Sequence, residues 1–337
     1  MTTLRLNASN PDDIAQATEL LQSGELVAIP TETVYGLAAN ALDEAAVAKI
    51  FAAKGRPQDN PLIVHVYDAE QARSLVKAWP FTAQRLAEAF WPGPLTVILP
   101  RAEHVPGIVS AGLGTLALRV PAHLAAQALL QAAGVPLAAP SANRSGSPSP
   151  TMASHVHYDL NKKIAAILDG GPCIVGVEST VLDLTSEIPL LLRPGGISVE
   201  QLEAALGCGI AISPAIAHAL GGDAPTPSPG MKYRHYAPRA ELTLVHGSLQ
   251  DFIELAKREQ SDGVLIFDDD VIPDSWGVLR YGNSPEEQAR QLFAKLREID
   301  GLGWRTVLVR APAKEGFGLA VYNRLLRAAS FREVTAN

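Results

Sequence analysis

Two short runs set chemically capable side chains against apolar stretches. Lys54-Gly55-Arg56-Pro57 leads into Pro61-Leu62-Ile63-Val64-His65-Val66, and Ser141-Ala142-Asn143-Arg144-Ser145-Gly146 follows Pro136-Leu137-Ala138-Ala139-Pro140. Cations, hydroxyls and an amide beside buried strands need compensating partners, and a bound anionic ligand is one such partner. Arg56 precedes Pro57 and Asn60-Pro61 in a short loop, so two cations at fixed spacing enter a strand, which suits bidentate oxyanion recognition. That pre-strand place implies exposure for both Lys54 and Arg56.

Arg119 stands in Leu116-Ala117-Leu118-Arg119-Val120-Pro121, which reads as an interior strand. A lone guanidinium there is costly without a carboxylate or phosphate, so the open alternatives are an internal ion pair with Asp or Glu and an anionic ligand. Arg193 ends the apolar run Leu190-Leu191-Leu192 before Pro194-Gly195-Gly196, a strand-end position that ligands of open α/β sheets favour. Plain structural readings exist for each residue alone. Lys54 complements a helix dipole, His65 is a core histidine, Gly195-Gly196 is a turn, and Glu178-Ser179-Thr180 and Ser141-x-Asn143 are caps or turns. Taken together, the set points to one concentrated anion site.

Familiar phosphate and catalytic signatures are missing: no G-x-x-x-x-G-K-[ST], no completed G-x-G-x-x-G, no H-E-x-x-H and no G-x-S-x-G. Any nucleotide must therefore be held largely by side chains. Cys173 and Cys208 are far apart, which indicates neither a disulfide framework nor zinc and reads as two buried structural thiols. A net charge of -7 disfavours nonspecific nucleic-acid affinity, though a basic pocket can coexist with an acidic surface. No apolar run approaches the ~18 residues of a membrane span, and Met1-Thr2-Thr3-Leu4-Arg5 lacks a signal-peptide layout, so the expected location is cytoplasmic.

The elements that must position these residues alternate in type. A helix from Asn10 as cap, with Pro11 in its first turn, runs to about Gly24. Strand Leu26 to Pro30 follows, then the polar turn Thr31-Glu32-Thr33-Val34-Tyr35-Gly36. A second helix starts at Asp43, buries Val47, Ile50 and Phe51, and ends with Lys54 against Gly55. Further strands are expected at Leu62 to Tyr67, Leu95 to Leu99, Leu116 to Val120, Leu137 to Ala139, Ala165 to Leu168, Thr180 to Leu184 and Leu190 to Leu192. The interleaving predicts an α/β fold with one large sheet.

With 337 residues, 47% apolar and 19% charged, the chain has material for two domains. Prolines gather between Ile212 and Pro238, marking a linker. The expected division is 1–212, a linker over 213–239, and a small α/β domain over 240–337. That last part has strands near Leu242, Val264, Val278 and Thr306 and helices at Leu249 to Arg258, at Pro285 to Ile299 with a Ser284 to Glu287 capping box, and at Leu319 to Ala329.

Thr31-Glu32-Thr33-Val34-Tyr35-Gly36, Lys54-x-Arg56, Pro61 to Val66, Ala117 to Pro121, Ser141-x-Asn143, Val177 to Val181 and Leu192 to Gly196, in this order, resemble the YrdC family. The run Ser228-Pro229-Gly230-Met231-Lys232-Tyr233-Arg234-His235-Tyr236-Ala237-Pro238 and the domain after it are similar to the family's longer, two-domain form. The resemblance covers essentially the whole chain. It implies a twisted mixed sheet with a concave, positively lined cavity, then a smaller Rossmann-like domain, with the linker reaching back as a lid. It also implies a nucleotidyltransferase that joins L-threonine and bicarbonate or CO2 to AMP from ATP, releasing pyrophosphate. The product, threonylcarbamoyladenylate, passes to a separate transferase system that modifies adenosine in tRNA.

By resemblance, Lys54 and Arg56 do the electrostatic work, with Mg2+ bridging ATP phosphate oxygens and no protein metal ligand identified. Arg56, Asn60, Thr115, Asn143, Thr151 (or Ser149 in its place), Arg193, His235 and Tyr236 lie on the ATP side. Thr33, His65, Arg119, Ser141 and Ser179 surround threonine, with Arg119 on its carboxylate. Direct tRNA binding stays open. Two readings compete: an RNA-binding module using the same basic concavity, and a regulatory protein that binds threonine and ATP without turnover. Hydrogenase-maturation relatives carry cysteine-rich zinc modules, which the two isolated cysteines do not supply.

Overall fold

A computed structural model describes residues 2–218, 236–273 and 275–336. Most of the proline-rich linker, including Lys232 to His235, lies outside the described residues.

Strands β1 (Leu4–Asn7), β2 (Val27–Ile29), β3 (Gly36–Asn40), β4 (Ile63–His65), β5 (Leu95–Pro100), β6 (Thr115–Arg119), β7 (Leu137–Ala138), β8 (Ala166–Asp169), β9 (Thr180–Asp183), β10 (Leu190–Arg193) and β11 (Ala211–Ile212) form one mixed sheet. Their order is β1-β8-β2-β3-β7-β4-β6-β5-β9-β10-β11. A second sheet contains β12 (Glu241–His246), β13 (Gly263–Ile266), β14 (Val278–Arg280), β15 (Thr306–Arg310) and β16 (Glu333–Thr335), ordered β14-β13-β15-β12-β16 and parallel throughout. This is the expected α/β class, a large mixed sheet and a smaller parallel one.

Nearly continuous apolar runs such as Leu62 to Val66, interrupted only by His65, belong in strands covered on both faces, because alternation would expose every second residue. One face of the large sheet packs Leu37, Ile50, Phe51, Leu62 and Val64, and the other packs Leu21, Val27, Ile29 and Leu129. Phe293, Leu296, Val307 and Leu325 help fill the core of the second sheet.

Local chemistry sets the element ends as the sequence implies. Asn10 Oδ1 accepts the Asp12 N–H to open helix Pro11–Gln22, and Asp43 accepts from Ala45 and Ala46 to open Glu44–Lys54. Gly55 closes that second helix at φ 63°, the left-handed region that glycine enters without penalty. The chain then turns sharply, and the Arg56 N–H bonds back to Phe51 O at 3.0 Å. Ser284 and Glu287 form the expected capping box.

Several readings change. The turn Thr31 to Gly36 runs straight into β3, a strand whose small residues Gly36, Ala38 and Ala39 carry little β signal. The structure adds strand β1 and helices Ala69–Ser74, Phe81–Phe90, Leu124–Ala133, Ala153–Leu160 and Val199–Leu206 to those expected, and in Leu124–Ala133 apolar residues surround much of the circumference and blur the helical period. Cys208 is exposed, while Cys173 is buried and its thiol is pushed up to about 12 by that burial. No helix among the described residues is long and apolar enough to cross a membrane.

Candidate active site

Thr33, Arg56, His65, Arg119, Ser141, Asn143, Ser179, Arg193 and Tyr236 line one cavity of about 60 Å³. Lys54, Asn60, Thr115, Ser149 and Thr151 are not part of that lining, and His235 lies outside the described residues. Strand pairing explains the convergence. β4 and β6 are parallel neighbours with His65 directly opposite Arg119, so the two side chains fall on the same face of the sheet and both reach the cavity.

Arg119 resolves its alternatives toward an internal pair. Nη2 lies 2.6 Å from Glu32 Oε1, Nη1 donates to Thr33 Oγ1 at 2.8 Å, and Nε donates to Gly93 O at 3.2 Å. Glu32 Oε2 in turn accepts the Ala122 N–H at 3.0 Å. Glu32 and the Thr33 hydroxyl thereby orient the guanidinium. Burial, reinforced by the Arg119 charge, holds the His65 pKa well below the usual histidine range, so the ring is neutral, and its buried Nδ1 has no partner.

Lys54 and Arg56 are buried, contrary to the exposure that their pre-strand place implies. Lys54 Nζ donates to Ser141 O, to Asn143 O at 2.7 Å and, more distantly, to Asn143 Oδ1 at 3.4 Å. The helix-end lysine thus ties down the Ser141 to Asn143 loop behind the cavity wall. Burial and the Arg56 charge push its pKa well below the usual lysine value. Within the loop, Ser141 Oγ donates to Asn143 Oδ1 at 2.6 Å, and Asn143 Nδ2 donates to Arg144 O and Ser147 O, each at 2.8 Å. Arg56 Nη2 donates to Pro61 O at 3.0 Å, and the neighbouring Asn60 keeps a buried, unpartnered Oδ1.

On the opposite wall, Arg193 donates from Nε to Ser179 O and from Nη2 to Ser179 Oγ, both at 3.1 Å. Ser179 Oγ also meets Thr96 Oγ1 at 2.7 Å. Burial lowers the Arg193 pKa to about 10, leaving it cationic at neutral pH. Gly195 is more than a turn residue: a Cβ there would lie 2.2 Å from Thr180 N, so only a bare backbone lets the segment after Arg193 close against Ser179.

Several contributors escaped the sequence reading. Thr96 braces Ser179, and Glu178 lines the cavity and accepts from Ser149 Oγ. Arg324, from helix Gly318–Ala328, meets the other Glu178 oxygen, Nε to Oε2, at 2.7 Å. Burial alone would raise the Glu178 pKa, but the Arg324 and Arg193 charges and the hydrogen bonds outweigh it and leave the pKa lowered. A signal for Arg324 existed in Tyr322-Asn323-Arg324-Leu325-Leu326-Arg327: two cations one helical turn apart among apolar residues mark a buried polar stripe. Ser149 therefore sits one bond behind the wall, while Tyr236 closes it, its ring 5.3 Å from Phe293 and beneath the Arg324 guanidinium.

The cavity is rich in donors: three guanidinium groups, hydroxyls and a neutral imidazole. Among the described residues no three or more His, Cys, Asp or Glu side chains gather to hold a metal, and the buried carboxylates of Glu32 and Glu178 are engaged by arginines. Chemically, the site suits anions whose charge must be neutralised and oriented.

Residues 19–195 match a family model described as Telomere recombination (Sua5/YciO/YrdC), and residues 197–330 match the Threonylcarbamoyl-AMP synthase, C-terminal domain. The threonylcarbamoyl-AMP synthase of Pyrococcus abyssi is 48% identical over 324 residues, covering 94% of each chain. That of Bacillus subtilis is 45% identical over 335 residues, covering 97% of this chain and 96% of its own. A solved structure of P. abyssi Sua5 complexed with L-threonine superposes with a TM-score of 0.93 at 44% identity, covering 100% of both chains. The motif order, the donor-lined cavity and this end-to-end similarity agree: the chain belongs to the threonylcarbamoyl-AMP synthase family, in its two-domain form.

Proposed function

We propose that this chain joins L-threonine, bicarbonate or CO2 and ATP into threonylcarbamoyl-AMP by adenylyl transfer, releasing pyrophosphate, in support of threonylcarbamoyl modification of adenosine in tRNA. The observation that carries this reading is the gathering of three buried arginines, Arg56, Arg119 and Arg193, with the Thr33, Ser141 and Ser179 hydroxyls around one cavity. In a chain of net charge -7, this local concentration of guanidiniums and hydroxyls suits an anionic ligand.

Threonine occupies the side bounded by Thr33, His65, Arg119, Ser141 and Ser179. Its carboxylate approaches Arg119, whose orientation Glu32 and Thr33 already fix. Carbamate forms on the threonine amine, and its oxygen attacks the α-phosphorus while the bond to the pyrophosphate oxygen breaks. A weak nucleophile of this kind depends on alignment and on neutralising phosphate charge, which preorganised guanidiniums provide without reorganisation. Arg56 and Arg193 supply that charge at the wall. Lys54 acts by holding the Ser141 to Asn143 loop in place as well as by its own field. Asn60, Thr115, Asn143 and Thr151 or Ser149 complete the ATP side. ATP enters as its magnesium complex, as substrate.

A ligand of nucleotide size needs roughly 300–1,000 Å³, so the wall must open. Tyr236, at the end of the linker, lines that wall, and its movement away and back would admit ATP and then shield the hydrolysable adenylate. Pyrophosphate release from ATP, measured with threonine and bicarbonate each omitted, tests the reading. Release that needs neither cosubstrate overturns it, and salt-sensitive RNA binding without turnover would support the rival binding module.

A further inference from the structure

We infer that Arg324, although it belongs to the second domain, is a positioning residue for the ATP side of the active site. The inference rests on the reaction proposed above. Arg324 is fully buried, yet none of its bonds serves its own sheet. Nε meets Glu178 Oε2 at 2.7 Å, Nη2 donates to Pro194 O at 3.0 Å, and Nη1 donates to Asn323 Oδ1 at 2.8 Å. Its guanidinium also lies 5.5 Å from the centre of the Tyr236 ring.

Three of these four contacts, those to Glu178, Pro194 and Tyr236, lead to the cavity in one step. Glu178 lines the cavity, and its second oxygen accepts from Ser149. Pro194 follows Arg193 directly, so the bond to its carbonyl fixes the turn that leaves that arginine. Tyr236 caps the same wall. On the threonine side, Thr33 bonds to Thr31 and Arg119 and Ser141 bonds to Asn143, so of that set only Ser179, beside Glu178 and bonded by Arg193, adjoins the Arg324 contacts. A single guanidinium planted from another domain thus aligns a carboxylate, a carbonyl and an aromatic ring at once. A lysine cannot reproduce that planar fork. Buried pairs of this kind are weak devices for net stability but good ones for fixing geometry.

The test uses the full chain with Arg324→Lys, which keeps the charge, and the double variant Arg324→Gln with Glu178→Gln, which removes the buried pair together. ATP affinity is measured by calorimetry without threonine, so it reads out even if no turnover occurs. KM values for ATP and threonine come from pyrophosphate release. We expect Arg324→Lys to weaken ATP binding and raise the ATP KM at least about tenfold while the threonine KM moves less than about threefold, and the double variant to bind ATP no better than the single one. Unchanged ATP affinity in folded Arg324→Lys overturns the inference. So do a parallel loss of both substrates and recovery of wild-type ATP affinity in the double variant, which would mean that charge balance alone matters. Failure of both variants to fold also overturns it, assigning Arg324 to domain docking only. An ATP affinity that falls in Arg324→Lys while the wild-type protein releases no pyrophosphate would sink the proposed reaction and leave this inference standing.

Discussion

Arg119 Nη2 and Glu32 Oε1 lie 2.6 Å apart with both side chains 4% exposed, so each is the other's principal charge partner inside the protein. Glu32→Gln would leave a buried guanidinium without its counter-charge. Breaking one side of such a pair costs about 3–5 kcal/mol. The expected result is a large drop in the urea midpoint together with a raised threonine KM, since Thr33 is held by the same guanidinium. A wild-type midpoint would show that the pair is not needed for the fold.

Lys54 presents a different expectation from that of a surface cation. Because Nζ is spent on the Ser141 and Asn143 carbonyls, Lys54→Met should loosen the loop as well as remove charge. Turnover should fall by at least about a hundredfold, near 3 kcal/mol of transition-state stabilisation, with faster amide exchange across Ser141 to Ser147. Lost turnover with unchanged exchange would return Lys54 to a purely electrostatic role.

Thr96 is a smaller handle on the same site. Its hydroxyl braces Ser179 Oγ at 2.7 Å, and Thr96→Val removes that contact in a fully buried strand with little change in volume. Losing one neutral hydrogen bond is worth about 1 kcal/mol, so a roughly fivefold rise in threonine KM is expected, with the ATP KM nearly unchanged. An equal rise in both would place Ser179 between the substrates.

Acid should destabilise the fold through its buried histidines. His65 has a folded pKa well below its ordinary 6.5, and His155 falls from 6.5 to about 4, in each case chiefly through burial and then a neighbouring arginine. Above pH 6.5 both folded and unfolded states hold neutral rings and the stability is fully present. As pH drops below that, the unfolded chain binds protons first, so stability is lost until the folded pKa is passed. Urea midpoints measured across this window should decline, and His65→Gln with His155→Asn should flatten the decline. A slope unchanged in that double variant would assign the acid sensitivity to other groups.

Magnesium offers a check on the donor set. With Glu32 and Glu178 engaged by arginines, Mg2+ alone should leave the melting temperature where it was, whereas ATP with Mg2+ should raise it. A clear shift with the metal alone would reveal a protein ligand set.

Sequence by itself determined what depends on neighbours along the chain. The Asp43 cap, the Gly55 stop and the Ser284 box are local hydrogen-bond and φ requirements, so their residues announce them. The apolar runs marked buried strands, and the polar residues set against them, Arg56, Arg119, Arg193, Ser141 and Ser179, stood out as a set that the structure gathers around one cavity. Its assignment to ATP and threonine came from motif resemblance. Only the tertiary structure decided who partners whom. Glu32 and Arg119 are 87 residues apart and Glu178 and Arg324 are 146 apart, and nothing in the local pattern selects one carboxylate over another. The same limit hid the burial of Lys54, whose ammonium is covered by a loop arriving from beyond residue 140. Strand register placed His65 beside Arg119, and a helix from the far end of the chain supplied the arginine that braces the wall. Long-range pairing in a mixed sheet brings such groups together, because register and crossover, rather than local preference, set which faces meet.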